Sequence, residues 1–244
     1  MIAYHGMSGC GKIEDSLELA RGRHCFISYA SPDPLPLVAS VCSSFALDNG
    51  AYSAWSQSKE YDFAGFENFV EEWRLHPSFD FAIIPDVIGG SEEENLKLVE
   101  DWMGKDCSDS MIPVFHLHAS LDYLRELIGI GRLALGAHNL HRTPGTPAWW
   151  ERMEEIMEVL TDENGRPRAR LHGLKMLDPK IFERIPLHSA DSTNAERNGL
   201  FEQRFGMYTP PTRGQRAAVI ASMIDGKLGA AAWQRSRQEV LAFS

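Results

Sequence analysis

Ile185-Pro-Leu-His-Ser-Ala-Asp191-Ser-Thr-Asn-Ala-Glu-Arg197-Asn198-Gly199 is the stretch whose reading decides the fold. It reads as a short apolar strand that ends on a carboxylate and runs into a polar, glycine-terminated loop. A (β/α) barrel presents a reactive residue in this way, at the C-terminal end of a strand. Asp191 is therefore a candidate nucleophile. The plainer alternative is that it only caps the turn after the strand, and the rest of the chain has to choose between them.

Seven further apolar runs precede this one, at residues 2–5, 24–29, 44–48, 81–86, 112–118, 133–136 and 170–174, and the last strand itself covers 187–191. Most lack polar alternation, as strands buried on both faces do. Helical patterns lie between them. Residues 63–74 carry Phe66, Phe69, Val70 and Trp73 at three- and four-residue spacing, and residues 91–103 open with an N-cap serine and a Glu-rich first turn. Residues 119–130 repeat Leu121, Leu124, Leu127 and Ile128, and 146–160 and 213–243 also read as helices. Regular alternation of strand and helix specifies a parallel sheet with crossover helices, and eight units favour closure. The expected fold is α/β, a single (β/α)8 TIM barrel spanning residues 1–244 as one domain. The loop 161–168, with Asn164-Gly165 and Pro167, is the expected exposed excursion.

The strand ends then read His5, Tyr29, Asp48, Asp86, His116 with His118, Gly136 with His138, His172 with Lys175, and Asp191. In a barrel these ends converge on one mouth. So many ionisable groups there point to an active site rather than to ordinary capping.

Composition narrows the chemistry. The formal net charge of −10 argues against a general polyanion binder, but it is unevenly placed. Residues 1–160 hold 11 Lys+Arg against 25 Asp+Glu, a net of −14, whereas 161–244 hold 13 against 9, a net of +4. A polyanion should therefore meet the C-terminal third, where Arg166, Arg168, Arg170, Arg197, Arg204, Arg213, Arg216, Arg235 and Arg237 are the supply. Cys10, Cys25, Cys42 and Cys107 are scattered and suggest neither a disulfide framework nor a cysteine zinc site. No signal peptide or membrane-spanning run is read, so a soluble, cytoplasmic protein is expected.

Three local patterns carry chemistry. Gly6-Met-Ser-Gly-Cys-Gly11-Lys12 nearly matches a P-loop, but Ile13 stands where a Mg-binding Ser or Thr is needed; a loop flexing over the barrel mouth is the better reading. His116-Leu-His118 has the spacing of a metal pair, which keeps a metal-dependent barrel hydrolase in play. Asp48-Asn-Gly50-Ala-Tyr52 sets a carboxylate and an aromatic ring about a glycine turn, suited to proton transfer beside a flat heterocycle, with Asp86 as a second acceptor for ring N–H groups.

In this order, the residues resemble the tRNA-guanine transglycosylase superfamily over 44–205. Asp48-Asn-Gly-Ala-Tyr-Ser is similar to its D-S-G-G-F-Q segment, and Pro85-Asp86 to its strand-end Asp. His116 falls where the family has a Gln, Leu133-Ala-Leu-Gly136-Ala137 resembles L-A-V-G-E, and His172-Gly173 resembles a strand-end M-G. Asp191, Asn194-Ala and Arg197-Asn-Gly199 resemble D-x-x-x-P-T-R-N-A-R-N-G. The resemblance implies that Asp191 is the nucleophile and that Asp48 moves protons. It implies that Tyr52, Asp86, His116, Leu133, Gly136 and His172 hold the base, and that Arg197, Arg213 and Arg216 meet phosphates. The family's cysteine–histidine zinc subdomain is missing, and Ala137 replaces an acid that helps accept an aminomethyl-bearing base. These departures, with the short chain, are closer to compact, often phage-associated relatives that exchange guanine in DNA for a 7-deazaguanine such as preQ0.

The implied partners are nucleic acid, with DNA favoured over tRNA, and a 7-deazaguanine base, with no membrane and no cofactor. An oligomer is left open, and the location is the host cytoplasm if the chain is phage-encoded. The rivals are a metal-dependent hydrolase using His116 and His118, and a non-catalytic nucleic-acid-binding homologue. A glycosidase acting on soluble sugars fits a mouth rich in histidine and aromatic residues less well.

Overall fold

A computed structural model describes residues 1–7, 12–137 and 141–234. Cys10, His138, Arg235, Arg237 and the centre of the glycine-rich stretch 6–12 lie outside the described residues. The strands are β1 (Ile2–Met7), β2 (His24–Ser28), β3 (Ser44–Asp48), β4 (Phe79–Ile83), β5, β6 (Arg132–Gly136), β7 (Arg170–Gly173) and β8 (Ser189–Ser192). β5 comprises two short pieces, Met111–Ile112 and Val114–His116, on either side of Pro113.

Every pairing between these strands is parallel, and the order is that of the chain, with β8 returning to β1 through Tyr4 opposite Asp191. β5 closes the wall. Its first piece pairs with β4 and its second with β6, and Pro113, which lacks an N–H, still accepts from the Ala134 amide at 2.8 Å. The result is the eight-stranded (β/α) barrel expected from the sequence.

Alternation within each strand divides the core into two layers. Tyr4, Phe26, Ala46, Phe81, Ile83, Ile112, Val114 and Ala134 fill the barrel interior. Their neighbours, among them Cys25, Phe45, Leu47, Phe115, Leu133 and Leu135, face outward under the helices. Both faces are thus apolar, which explains the unalternated runs. The interior is plugged: the His172 ring packs against Phe81 and Phe26 with centroids 5.1 and 5.3 Å apart, and Tyr4 stands at 6.0 Å. Below this layer the Tyr4 hydroxyl donates to Asp80, which also meets Arg132 at 3.3 Å.

The helices that matter most for the site are α1 (Ile13–Ala20), α2 (Leu35–Ala39), α3 (Ala51–Ser56), α4 (Phe63–Trp73), α5 (Glu92–Met103) and α6 (Leu121–Ile128). They are followed by α7 (Pro147–Leu160), α8 (Pro179–Phe182), α9 (Asn194–Asn198) and α10 (Arg213–Asp225). Local signals set their starts. Ser91 and Glu94 form a reciprocal capping box, Ser120 accepts from the Tyr123 amide at 3.1 Å, and Pro147 occupies the first turn of α7.

One expectation is corrected. The last helix ends at Gly226, not at residue 243, because Gly226 and Gly229 break an otherwise helix-prone run. The following segment returns to the 161–168 loop, where the Trp233 amide donates to the Gly165 carbonyl at 2.7 Å and Trp233 is buried. Residues 163, 164, 166 and 168 of that loop are exposed, as expected, while this contact and a bridge between Thr161 and Pro167 pin its base. None of the helices of the described residues is long and apolar enough to cross a membrane.

Candidate active site

The C-terminal ends of the strands surround a cavity of about 550 Å³, within the range of small-molecule sites. Alternation explains which side chains line it. Counting by twos from interior positions brings Gly6, Ser28, Asp48, Ile83, His116, Gly136 and Asp191 to the mouth, and each lines this cavity. Asp48 and Asp191, on β3 and β8, therefore share one pocket with Asp86.

Asp48 sits in a turn of its own making. Its Oδ2 accepts from the Ser28 hydroxyl at 2.8 Å and from the Gly50 amide at 3.2 Å. Gly50 has φ of 73°, and a β-carbon there would meet the Ala30 amide nitrogen at 2.9 Å, so the turn requires glycine. Burial raises the Asp48 carboxyl to about 6, and the nearby Asp191 and Asp86 charges add to the rise against the Ser28 and Gly50 hydrogen bonds. It is thus a group able to hold or release a proton near neutrality.

Asp191 is 6% exposed. Its Oδ1 accepts from the Lys175 amide at 3.0 Å, and His172 Nε2 stands 3.4 Å from the same oxygen while His172 Nδ1 meets Ser189 Oγ at 2.9 Å. Asp86 is held on both sides. His116 Nε2 lies 2.7 Å from Oδ2, and the Asn49 amide donates to Oδ1 at 3.1 Å while also reaching the Ile84 carbonyl at 2.9 Å. Each Asp86 oxygen keeps a second lone pair for a ligand.

Aromatic and cationic groups stand at the rim. Tyr52, on α3, is 49% exposed, and the Lys175 ammonium lies 4.9 Å from its ring centroid. Arg197, on α9, is exposed and lines the same cavity. A β-carbon on Gly136 would come within 3.0 Å of Val114 and 3.3 Å of His116 Nδ1, so its absence keeps the pocket open beside the Asp86–His116 pair.

Several residues expected at the site lie elsewhere. Leu133 is fully buried in the outer layer, because it is three positions from Gly136 and faces the other side of β6. His172 is inside the barrel but in the packed layer beneath the pocket, where it reaches Asp191 and no open space. Arg216 is 6% exposed and donates to the carbonyls of Gly199 and Pro210, so it fastens the segment before α10 instead of meeting a phosphate. Arg213, at the start of α10, does not line the cavity.

His5 points outward to Asp225 on α10 at 2.9 Å, and Tyr29 packs on Phe66 and Phe69 of α4. Alternation through His24, Phe26 and Ser28 marks Ser28 as the inward end of β2. Lys175, read from the sequence as a strand-end cation, and Asn49 complete the site; the only sequence signal for Asn49 is its position next to Asp48.

His118 lies on the turn after β5, exposed, with its ring centroid 5.7 Å from that of His116, and the two histidines line a small recess with Glu92 and Tyr123 that adjoins the main cavity at His116. Among the described residues no group of three or more His, Cys, Asp or Glu side chains is placed to hold a metal ion.

No protein-family model matches the sequence, and no curated protein matches it.

Proposed function

We propose that the chain is a base-exchange transglycosylase that replaces guanine in DNA with a 7-deazaguanine such as preQ0, through a covalent Asp191–glycosyl intermediate. The observation that carries the reading is the meeting of Asp48 and Asp191 in one cavity beside the Asp86–His116 pair. The target nucleotide leaves its stack and enters the mouth. Tyr52 meets the face of the base, Asp86 and His116 its edge, and Gly136 leaves it room.

An oxygen of Asp191 attacks C1′, the C1′–N9 bond breaks with its electron pair passing to the purine, and Asp48 in its neutral form supplies the proton to that base. The incoming base then loses its N9 proton to the Asp48 carboxylate, N9 attacks C1′, and Asp191 departs as carboxylate. Two displacements retain configuration, as in retaining glycoside chemistry. The Lys175 amide holds Asp191 Oδ1 and leaves Oδ2 for the attack. The Asp48 carboxyl, pushed up to about 6 by its burial, is matched to both proton transfers.

Nucleoside mass spectrometry of DNA and tRNA from cells expressing the protein tests the reaction and the polymer together. Asp191→Ala is expected to fold as the wild type and to lose exchange by roughly 10⁴-fold or more, the scale on which a covalent nucleophile is missed. Incorporation of labelled base by Asp191→Ala at the normal rate overturns the assignment.

A further inference from the structure

Lys175 occupies an unusual place in this pocket. Its φ of 59° is left-handed, shared among the described non-glycine residues only with Ser58. Glycine or asparagine adopts that conformation more readily, so a lysine there points to a role for its side chain. The amide of Lys175 is fixed on Asp191 Oδ1 at 3.0 Å, while its ammonium reaches across the mouth to lie 4.9 Å from the Tyr52 ring centroid. A planar base stacking on that face of Tyr52 would have to displace the ammonium. Three carboxylates, Asp48, Asp86 and Asp191, line the cavity, and the cations Lys175 and Arg197 are exposed at its edge. Such a gradient fits an uncharged ring inside and anionic groups outside.

We infer that Lys175 selects a nucleotide carried in a phosphodiester chain over a free base: its ammonium covers Tyr52 as seen here and passes to the phosphate beside the extruded nucleotide when a base stacks on that ring. The inference rests on the base-exchange reading of this pocket and names how the site recognises a polymer. Cation–π contact is exchanged for a charge-assisted hydrogen bond.

The test is fluorescence anisotropy with a short single-stranded, guanine-containing DNA oligonucleotide across a salt series, with free guanine binding measured alongside. Lys175→Asn removes the charge and tolerates the left-handed backbone, preserving the amide bond to Asp191; Lys175→Gly is the second variant should the first melt early. Either is expected to weaken oligonucleotide binding about tenfold at low salt and to flatten the plot of log affinity against log salt by about 0.7, the slope of one single-strand phosphate contact. Guanine binding should hold or tighten, because the ring face is uncovered. Lys175→Arg should restore the slope.

An unchanged slope, a parallel loss of guanine binding, or a wild type that binds no oligonucleotide overturns the inference. A wild type that shows the slope effect but exchanges no base overturns the proposed reaction alone. One that exchanges base while Lys175→Asn keeps the wild-type slope overturns the Lys175 role alone.

Discussion

Replacing Asp48 by asparagine should make the protein more stable while abolishing its proposed proton transfer, and the gain should depend on pH in a defined direction. The folded carboxyl titrates at about 6 against an ordinary 3.8, chiefly because it is buried. A raised folded value means that Asp48 binds its proton more tightly in the native state. Its contribution is therefore whole below pH ~4, falls as pH climbs, and is gone above pH ~6.

A rise of about two units at 1.36 kcal/mol each sets the difference at roughly 3 kcal/mol, a ceiling that water in the open pocket lowers. Asparagine keeps an oxygen to accept from Ser28 and Gly50 without the charge. Relative to wild type, Asp48→Asn should gain about 0.5 kcal/mol at pH 4 and up to about 3 kcal/mol at pH 8. For a chain of this size that is a Tm advantage of several degrees, ~5–10 °C at pH 8, nearly absent at pH 4. Paired thermal melts at the two pH values measure it. A gain that is equal at both, or larger at pH 4, refutes the assignment of Asp48 as the desolvated acid.

Two further substitutions probe the architecture. Gly136→Val should fill the space beside Val114 and His116, weakening guanine or 7-deazaguanine binding by about tenfold or more and, by crowding those neighbours, costing about 1–3 kcal/mol of stability; titration calorimetry with the free base, on protein shown folded by thermal melt, decides it. Gly165→Ala puts a β-carbon 2.2 Å from the Trp233 carbonyl oxygen at a φ of 75°, so the tie between loop 161–168 and the chain end should break. A loss of about 1–3 kcal/mol is expected, with faster proteolysis in residues 226–234, and an unchanged cleavage pattern would count against the tie.

The barrel was legible because most strands are apolar on both faces and several helices carry a start signal: Ser91, Ser120 and Pro147 all act where they stand in the sequence. Which face a strand residue takes was less legible. A shift of one position exchanges inside for outside, and His5, Tyr29 and Leu133 fell on the wrong side for that reason while Asp48, His116, Gly136 and Asp191 did not.

Arg216 illustrates a different loss. Its charge suggests a phosphate, but the carbonyls that hold it belong to a turn whose course depends on tertiary packing. Helix propensity around Lys227 to Ala232 likewise says nothing of Trp233 folding back on Gly165. Lys175 was visible as a strand-end cation, yet its reach to Tyr52 comes from a backbone conformation that residue type alone disfavours.

The aromatic plug of Tyr4, Phe26, Phe81 and His172 makes the pocket a cul-de-sac. Whatever ring enters by the mouth has to back out through it, with no rear exit for a spent molecule while a fresh one arrives. Under the proposed base exchange, turnover in such a chamber would be a strict queue: the first occupant clears the doorway before the second is admitted, and the polymer stays tethered in the interval. Steady-state kinetics should then give parallel double-reciprocal lines for the two reactants, with the outgoing base competing against the incoming one.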